Sequence, residues 1–466
     1  MLSNKESLTY SPDIVLEQVI SGEKINSPKI AQSVYRMARR ISINNEKNPD
    51  DLLSVKRVAM VTPYHPLYEI GGLEISTRKL AQQLTELGHG VEIITKGLYP
   101  DSDQRGKQVS PEGISVHGIG AGIEEIVPYV LSRRKDFDIV QWMEIFPPVP
   151  ESPEIYNDKA EQQYMASILL RSLGIKTFLN IASCGSVTNR GINRQLPLTT
   201  KKHQPLNVLL NRSMTAYLGI NPDIASEFEQ AGIVGSTDRF ESIPSGVDDK
   251  LFLPCTNDEQ RNIREDLGLP LDKKIVLFIG RFVQRKRPDL LVDIWNNLPL
   301  DVQKNGCLVF VGGKAGDGQP DSIYNQVSST IQKHNKQRAA NGQNPNIYSF
   351  DLVDHYQMPR YIQACDALFF PSEREGLGMV IPEVMACAKP VFASNIPGIR
   401  EVVPNSNVGI LFDPYDLDEM QNILVDFINN PDKFTKMGER SRDYVSKCWN
   451  WQSIALKLSD TYRRYK

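Results

Sequence analysis

The stretch DALFFPSEREGLGMVIPEVMACAKPVFAS, Asp366 to Ser394, decides the fold. It opens on an unbroken apolar run, turns at Gly376 and Gly378, and closes on a second run, Pro390–Ser394. Pro382 fixes what lies between. Proline fits a helix only in its first turn, so a helix begins just before it and runs on through Glu383, Val384, Met385 and Ala386. Strand, glycine turn, helix and strand follow one another within one short stretch. The same stretch poses a chemical question. Glu375 and Glu383 stand among Leu377, Met379, Val380, Ile381 and Val384. Carboxylates in apolar surroundings are costly unless something binds them.

The alternation recurs along the chain. Apolar runs stand at 57–62 (RVAMVT), 91–95, 138–143, 176–182 and 216–220. Later ones stand at 274–280 (KIVLFIG), 307–313, 366–372 and 390–394. Their apolarity is continuous, which marks strands covered on both faces, as in a parallel sheet. Helical patterns lie between them. In GGLEISTRKLAQQLTEL, the residues Leu73, Leu80, Leu84 and Leu87 share one face, and the pattern stops at Gly88. A chain of 466 residues is too long for one core. The expected class is α/β, with two Rossmann-like doubly wound parallel-sheet domains facing across a cleft and an N-terminal helical extension. The expected spans are 1–54 for the extension, 55–258 and 259–445 for the two domains, and 446–466 for a C-terminal helix able to cross back to the first. The seam is expected in the polar, turn-rich segment Leu251–Lys274. In the extension, SPKIAQSVYRMARRI sets Ile30, Val34, Met37 and Ile41 on one stripe beside Arg36, Arg39 and Arg40. A helix docked on the first domain is the favoured reading. A basic amphipathic contact with a membrane surface is the other.

Composition excludes several classes. Lys+Arg 53 against Asp+Glu 56 gives a formal charge of −3, which argues against nucleic acid as the main partner. The six cysteines are scattered without C-x-x-C or metal-ligand spacing, the N-terminus has no apolar signal region, and no run is long enough to span a bilayer. The expected location is the cytoplasm, with peripheral contact at the inner membrane face left open.

Ligands of open α/β sheets bind outside the carboxyl ends of the strands, so the residues after each run carry the chemistry. After RVAMVT come Gly71 and Gly72 and then a helix, where free N–H groups and a positive dipole end suit phosphate; a plain turn would look the same. After KIVLFIG comes RFVQRKRP, with Arg281 and Lys286 five apart and Arg285 and Arg287 nearby. Charge runs are usually solvated loops, but a strand end favours an anion site. Glu375 and Glu383 can both reach one cleft, or they can simply favour a helix N-terminus. GIGAGIEE and VGGKAGDGQ fail the dinucleotide and phosphate-loop patterns. The Asp pairs at 101–103 and 416–418 read as loop acids, and the six histidines show no ligand spacing. A two-domain α/β chain with a glycine helix start, two cations and no metal site suggests a diphosphate ligand.

At this point the chain resembles the retaining, nucleotide-sugar-dependent glycosyltransferases of family 4 (group 1), which have the GT-B fold. The resemblance spans about residues 56–463. It is strongest in FESIPSGVDDKLFLP, IVLFIGRFVQRKRPDLL, the stretch quoted at the outset with its E-x7-E pattern, and GILFDP. It implies that Gly71 and Gly72 contact the donor diphosphate and that Arg281 and Lys286 neutralise it. Glu375 would face the transferred sugar, the backbone of Gly376, Leu377 and Gly378 would bind phosphate, and Glu383 would hold the ribose. It also implies a hexose-type donor on a nucleoside diphosphate, retention at the anomeric carbon, no cofactor and no metal. The departing phosphate would take the acceptor's proton.

The sequence departs from the family pattern in places. The histidine often found after the strand matching KTFLNIA is missing from Ala182–Gly185, which makes Asn180, Ser183 and Cys184 candidate sugar contacts. The His-Asp pair is missing after VQWM, where Glu144 stands, and Ser245 replaces an asparagine. The acceptor, whether glycan, lipid-linked, protein or small molecule, stays open. A nucleotide-sugar epimerase, a glycan phosphorylase and a catalytically silent subunit binding a partner through residues 1–54 are the alternatives.

Overall fold

The structure is a computed structural model describing residues 11–41, 55–63, 72–97, 105–110, 112–120, 122–144, 153–181, 206–230, 237–314 and 322–465. The chain divides into two compact units, 1–245 with 451–466, and 246–450.

Among the described residues the first unit is built on eight strands: β1 Arg57–Thr62, β2 Gly90–Thr95, β3 Gly106–Val109, β4 Ser115–Gly118, β5 Ile139–Trp142, β6 Lys176–Ile181, β7 Ala216–Gly219 and β8 Phe240–Ser242. Their order is β3-β4-β2-β1-β5-β6-β7-β8, parallel throughout except for the β3–β4 pair. The central strands are apolar because helices cover both faces. Leu80 and Leu84 of helix Gly72–Glu86 pack on Val58, Met60 and Ile93. The C-terminal helix Trp451–Arg464 belongs to this unit and completes the same core with Ile454, Leu458 and Tyr462. Tyr462 stacks edge-on against Phe178 at 5.2 Å and donates to Gln141 Oε1. His89 is the buried tie: Nδ1 accepts from Lys56 N at 3.0 Å, and Nε2 lies 2.7 Å from Ser459 Oγ.

Among the described residues two helices precede β1, Pro12–Ile20 and Pro28–Arg40, each with proline in its first turn. Ile30, Val34 and Met37 are buried, and the second helix packs on helices Pro153–Ser172 and Leu206–Ser213. Arg212 Nη1 donates to Ala38 O at 2.9 Å and Ile41 O at 2.8 Å. The apolar stripe is therefore covered by protein and is not a face for a bilayer. Among the described residues no helix is long and apolar enough to cross a membrane.

The second unit has six parallel strands: β9 Lys274–Ile279, β10 Gly306–Val311, β11 Ile347–Phe350, β12 Ala367–Phe370, β13 Val391–Ser394 and β14 Ile410–Phe412. Their order is β11-β10-β9-β12-β13-β14. Chain order therefore reverses direction between β9 and β12, and the space outside the carboxyl ends of those two strands is where such a sheet takes a ligand. Arg264, 6% exposed, clips the opposite ends of the same two strands. It pairs with Asp366 at 2.8 Å and donates to Ala364 O, while Asp366 accepts from Ile275 N. Phenylalanines fill the core, with Phe369 stacked on Phe412 at 4.9 Å and Phe392 edge-on to Phe434.

Candidate active site

Two loops leave the switch point side by side. The first follows β9. Gly280 has φ +150°, and a Cβ there would stand 2.8 Å from Lys286 Cδ, so glycine lets the lysine fold back over the strand end. The single turn Gln284–Lys286 follows, and Arg287, left-handed at φ 54°, leads into helix Pro288–Asn296. The second loop follows β12 and begins at the fully buried Ser372. The loops are stitched together where Arg285 O accepts from Glu373 N at 2.7 Å.

Glu375 lies at the centre. Its Oε1 accepts from Lys286 Nζ at 2.8 Å, Arg285 Nη1 at 2.9 Å and Ser372 Oγ at 2.7 Å. The Glu375 side chain is 8% exposed and that of Lys286 is 13% exposed. Burial alone would push the Glu375 carboxyl up, but Lys286 and Arg285 outweigh it and hold it below the ordinary carboxylate range. Burial pulls the Lys286 ammonium down, against the opposing pull of Glu375. Lys286 Nζ also sits 4.7 Å from the centre of the Phe370 ring, whose π face favours the cation. Arg281 is exposed at the end of β9, and its charge reaches Lys286.

Gly376, Leu377 and Gly378 form the turn that carries the chain into the short helix Val380–Ala386, with Pro382 inside its first turn. Leu377 is buried at 4% exposure and Gly378 has φ +66°. Gly398 braces the turn from behind at φ +82°, where a Cβ would stand 2.3 Å from Gly376 O. Glu383, on the helix, lives in the opposite environment to Glu375. Burial, with no cation to offset it, pushes its carboxyl up to about 8. Its neighbour is His355, whose Nδ1 lies 3.8 Å from Glu383 Oε1. The two carboxyls singled out by sequence therefore shift in opposite directions, one held ionised by cations and one pushed toward the neutral form by burial.

The fold thus brings Lys286 and Glu375 into contact, sets Arg281 beside them at the strand end, and places Glu383 one turn of chain further on. Sequence reasoning missed the roles of Arg285, Ser372 and His355. Arg285 was visible as a member of the basic run, and Ser372 as the residue ending the strand. His355 had no spacing to mark it. In the first unit, Gly72 opens helix Gly72–Glu86 and is exposed, with nothing within 4 Å of where a Cβ would stand. Asn180, at the end of β6, donates to Met143 O at 3.4 Å, and Glu144 is buried at the end of β5 with its backbone O accepting from Gln163. Ser245 Oγ is 2.8 Å from Ser76 Oγ. Gly71, Ser183 and Cys184 lie outside the described residues.

Fold and sequence comparisons place these features in a class. The chain has the GT-B fold: an Anabaena protein, HepE, solved in complex with UDP, superimposes with a TM-score of 0.62 over 87% of this chain and 99% of that one, at 16% identity. Residues 259–444, within the second unit, match the family described as "Glycosyl transferases group 1". A D-inositol 3-phosphate glycosyltransferase of Xylanimonas cellulosilytica is 29% identical over 48% of this chain and 51% of its own length. A GDP-mannose-dependent monoacylated alpha-(1-6)-phosphatidylinositol monomannoside mannosyltransferase of Corynebacterium glutamicum is 22% identical over 75% of this chain and 90% of its own. The first of these two matches spans about half the length of the relative.

Proposed function

We propose that the chain is a metal-independent retaining glycosyltransferase, acting in the cytoplasm, that moves a hexose-type sugar from a nucleoside-diphosphate sugar to an acceptor hydroxyl. The observation that carries this is the Lys286–Glu375 contact at the switch point of a GT-B second unit, with Arg281 beside it. A diphosphate leaving group needs fixed positive charge, and a largely buried lysine supplies it without reorganising at the moment of reaction. One Lys286 N–H goes to Glu375, which leaves two for phosphate oxygens. The three donors to Glu375, from Lys286, Arg285 and Ser372, converge on its Oε1, which leaves Oε2 for a sugar hydroxyl. Arg281 adds charge at the mouth, the Gly376–Gly378 backbone meets phosphate, and Glu383 takes the ribose. The bond from the anomeric carbon to the phosphate oxygen breaks, the acceptor oxygen bonds to the same face, and the acceptor proton passes to the departing phosphate.

The test is a thermal-shift and turnover panel of UDP-, GDP-, ADP- and dTDP-sugars with and without EDTA. One of these donors should bind and be consumed equally in both conditions. A requirement for added metal refutes the fixed-cation account. Lys286→Ala, Arg281→Ala and Glu375→Ala should each lower transfer by orders of magnitude while the melting transition persists; full activity in these variants refutes the assignment. Product analysis separates transfer from epimerisation and phosphorolysis.

A further inference from the structure

Glu383 occupies a place that resists its charge. Its side chain is 13% exposed, and burial pushes the carboxyl up to about 8. Accepting both hydroxyls of a ribose diol needs both carboxylate oxygens as acceptors, and a protonated carboxyl turns one of them into a donor. A group left neutral near pH 7 would make a poor diol binder.

The structure sets one titratable ring against it. His355 opens the turn His355–Gln357 after β11, with Nδ1 3.8 Å from Glu383 Oε1. The ring is fixed by edge-on packing against Phe252 at 5.3 Å, and Phe252 is 1% exposed. Asp354 pins the turn by accepting from Tyr356 N at 2.8 Å. The other charged and titratable groups around helix Val380–Ala386 are committed elsewhere. Arg442, from the packed helix Asp432–Cys448, donates to the carbonyls of Ala386, Phe252 and Asp249. Arg400, from helix Ile399–Val402, holds Asn395 Oδ1 at 2.8 Å, and its neighbour Glu401 has an interaction of its own. Burial pushes the Cys387 thiol up to about 12, so it is neutral; Lys389 opposes that rise, and Glu383 and Cys255 add to it.

Resting on the reading of Glu383 as the ribose ligand, we propose that His355 is a positioning residue for the donor: it takes the proton Glu383 would otherwise hold, so the carboxylate faces the ribose diol at neutral pH. One proton moves from Glu383 Oε1 to His355 Nδ1, and the net charge of the pair is unchanged. The two groups titrate as a unit. An ordinary imidazole takes its proton near pH 6.5, and an adjoining carboxylate raises that value. Below this range both groups are protonated, the parent too loses its carboxylate, and its lead over a protein without the imidazole stops growing.

The experiment measures dissociation constants of UDP, GDP and ADP for the full chain by calorimetry from pH 6 to 9. It compares the parent with His355→Phe, which keeps a ring against Phe252. The variant should bind like the parent at pH 9 and fall behind progressively as pH drops, by about tenfold at pH 6, one pH unit of proton competition. A ratio constant across the range overturns the proposal and makes His355 a packing or contact residue. Failure of the parent to bind any of the three at any pH overturns the reading of Glu383 as the ribose ligand itself. A second measurement does not depend on the variant ring: the His355 imidazole, followed by NMR, should titrate at lower pH in Glu383→Gln than in the parent, and an unmoved titration overturns the coupling.

Discussion

Gly398→Ala tests how tightly the site is braced. Gly398 has φ +82°, and a Cβ there would stand 2.3 Å from Gly376 O, 2.9 Å from Gly376 C and 3.1 Å from Glu375 O. To reach the 3.0 Å at which real Cβ contacts begin, the Gly376–Leu377 peptide must retreat by about 0.7 Å. Glu375, the residue just before that peptide, carries the carboxylate whose Oε1 takes three donors at 2.7–2.9 Å. A shift of that size is large on the scale of a reacting geometry, where about 1 Å costs on the order of 100-fold. Turnover of the nucleotide sugar found by the panel should therefore fall by about 10- to 100-fold. The left-handed backbone adds roughly 1–2 kcal/mol of instability. Gly268→Ala is the control: its φ is +66°, but nothing lies within 4 Å of its Cβ position. It pays the same backbone strain without touching the site, so it should lower the melting temperature and leave turnover alone. Parent-like turnover in Gly398→Ala, with both variants equally destabilised, would refute the bracing argument.

The remaining expectations concern stability. Removing one partner of a buried ion pair strands the other, which typically costs about 3–5 kcal/mol. Lys286→Met should cost less, about 1–3 kcal/mol, because Arg285 and Ser372 still hold Glu375. Urea unfolding of Lys286→Met, Glu375→Gln and the double variant should reveal a coupling of at least about 1 kcal/mol, and additive costs would contradict the pairing. In the first unit, Glu92 is held at about 2, first by His117 and then by Arg133, whose Nη1 lies 2.6 Å away. A lowered carboxyl stabilises above its unfolded value and loses that stabilisation as pH falls toward its folded value. Glu92→Gln should therefore be less stable by about 1–2 kcal/mol at pH 7, after allowance for solvent screening, with the gap closing between pH 4.5 and 2 in urea midpoints. Arg212→Ala frees the carbonyls of Ala38 and Ile41. Amides of helix Pro28–Arg40 should then exchange faster by about tenfold or more while β1 keeps its protection, and unchanged exchange would show that apolar packing alone docks the helix.

Nine apolar runs were enough to name an α/β chain with two parallel sheets, because a central strand covered on both faces has to be apolar at every position. The same rule hid the rest. β3, β8, β11 and β14 lie at sheet edges and β4 next to one. GKQV is mostly exposed and IYSF half so, because an edge strand has solvent on one side and needs no continuous run. The quoted stretch located its own helix start, since Pro382 leaves few alternatives.

What the sequence determined by itself was which residues stand at strand ends: Arg281, Lys286, Glu375 and Glu383 follow their runs whatever the packing, because position after a strand is a property of chain order. What only the tertiary structure decided was which of them meet and with what charge. Arg285 and Lys286 join Glu375 because β9 and β12, distant along the chain, lie side by side in the sheet. His355 reaches Glu383 because the turn after β11 folds against Phe252. Ionisation follows from those distances and from burial, and neither is written in residue spacing. Two glutamates eight positions apart look alike in the sequence; a lysine and an arginine on one, and burial beside a histidine on the other, make them chemically different groups.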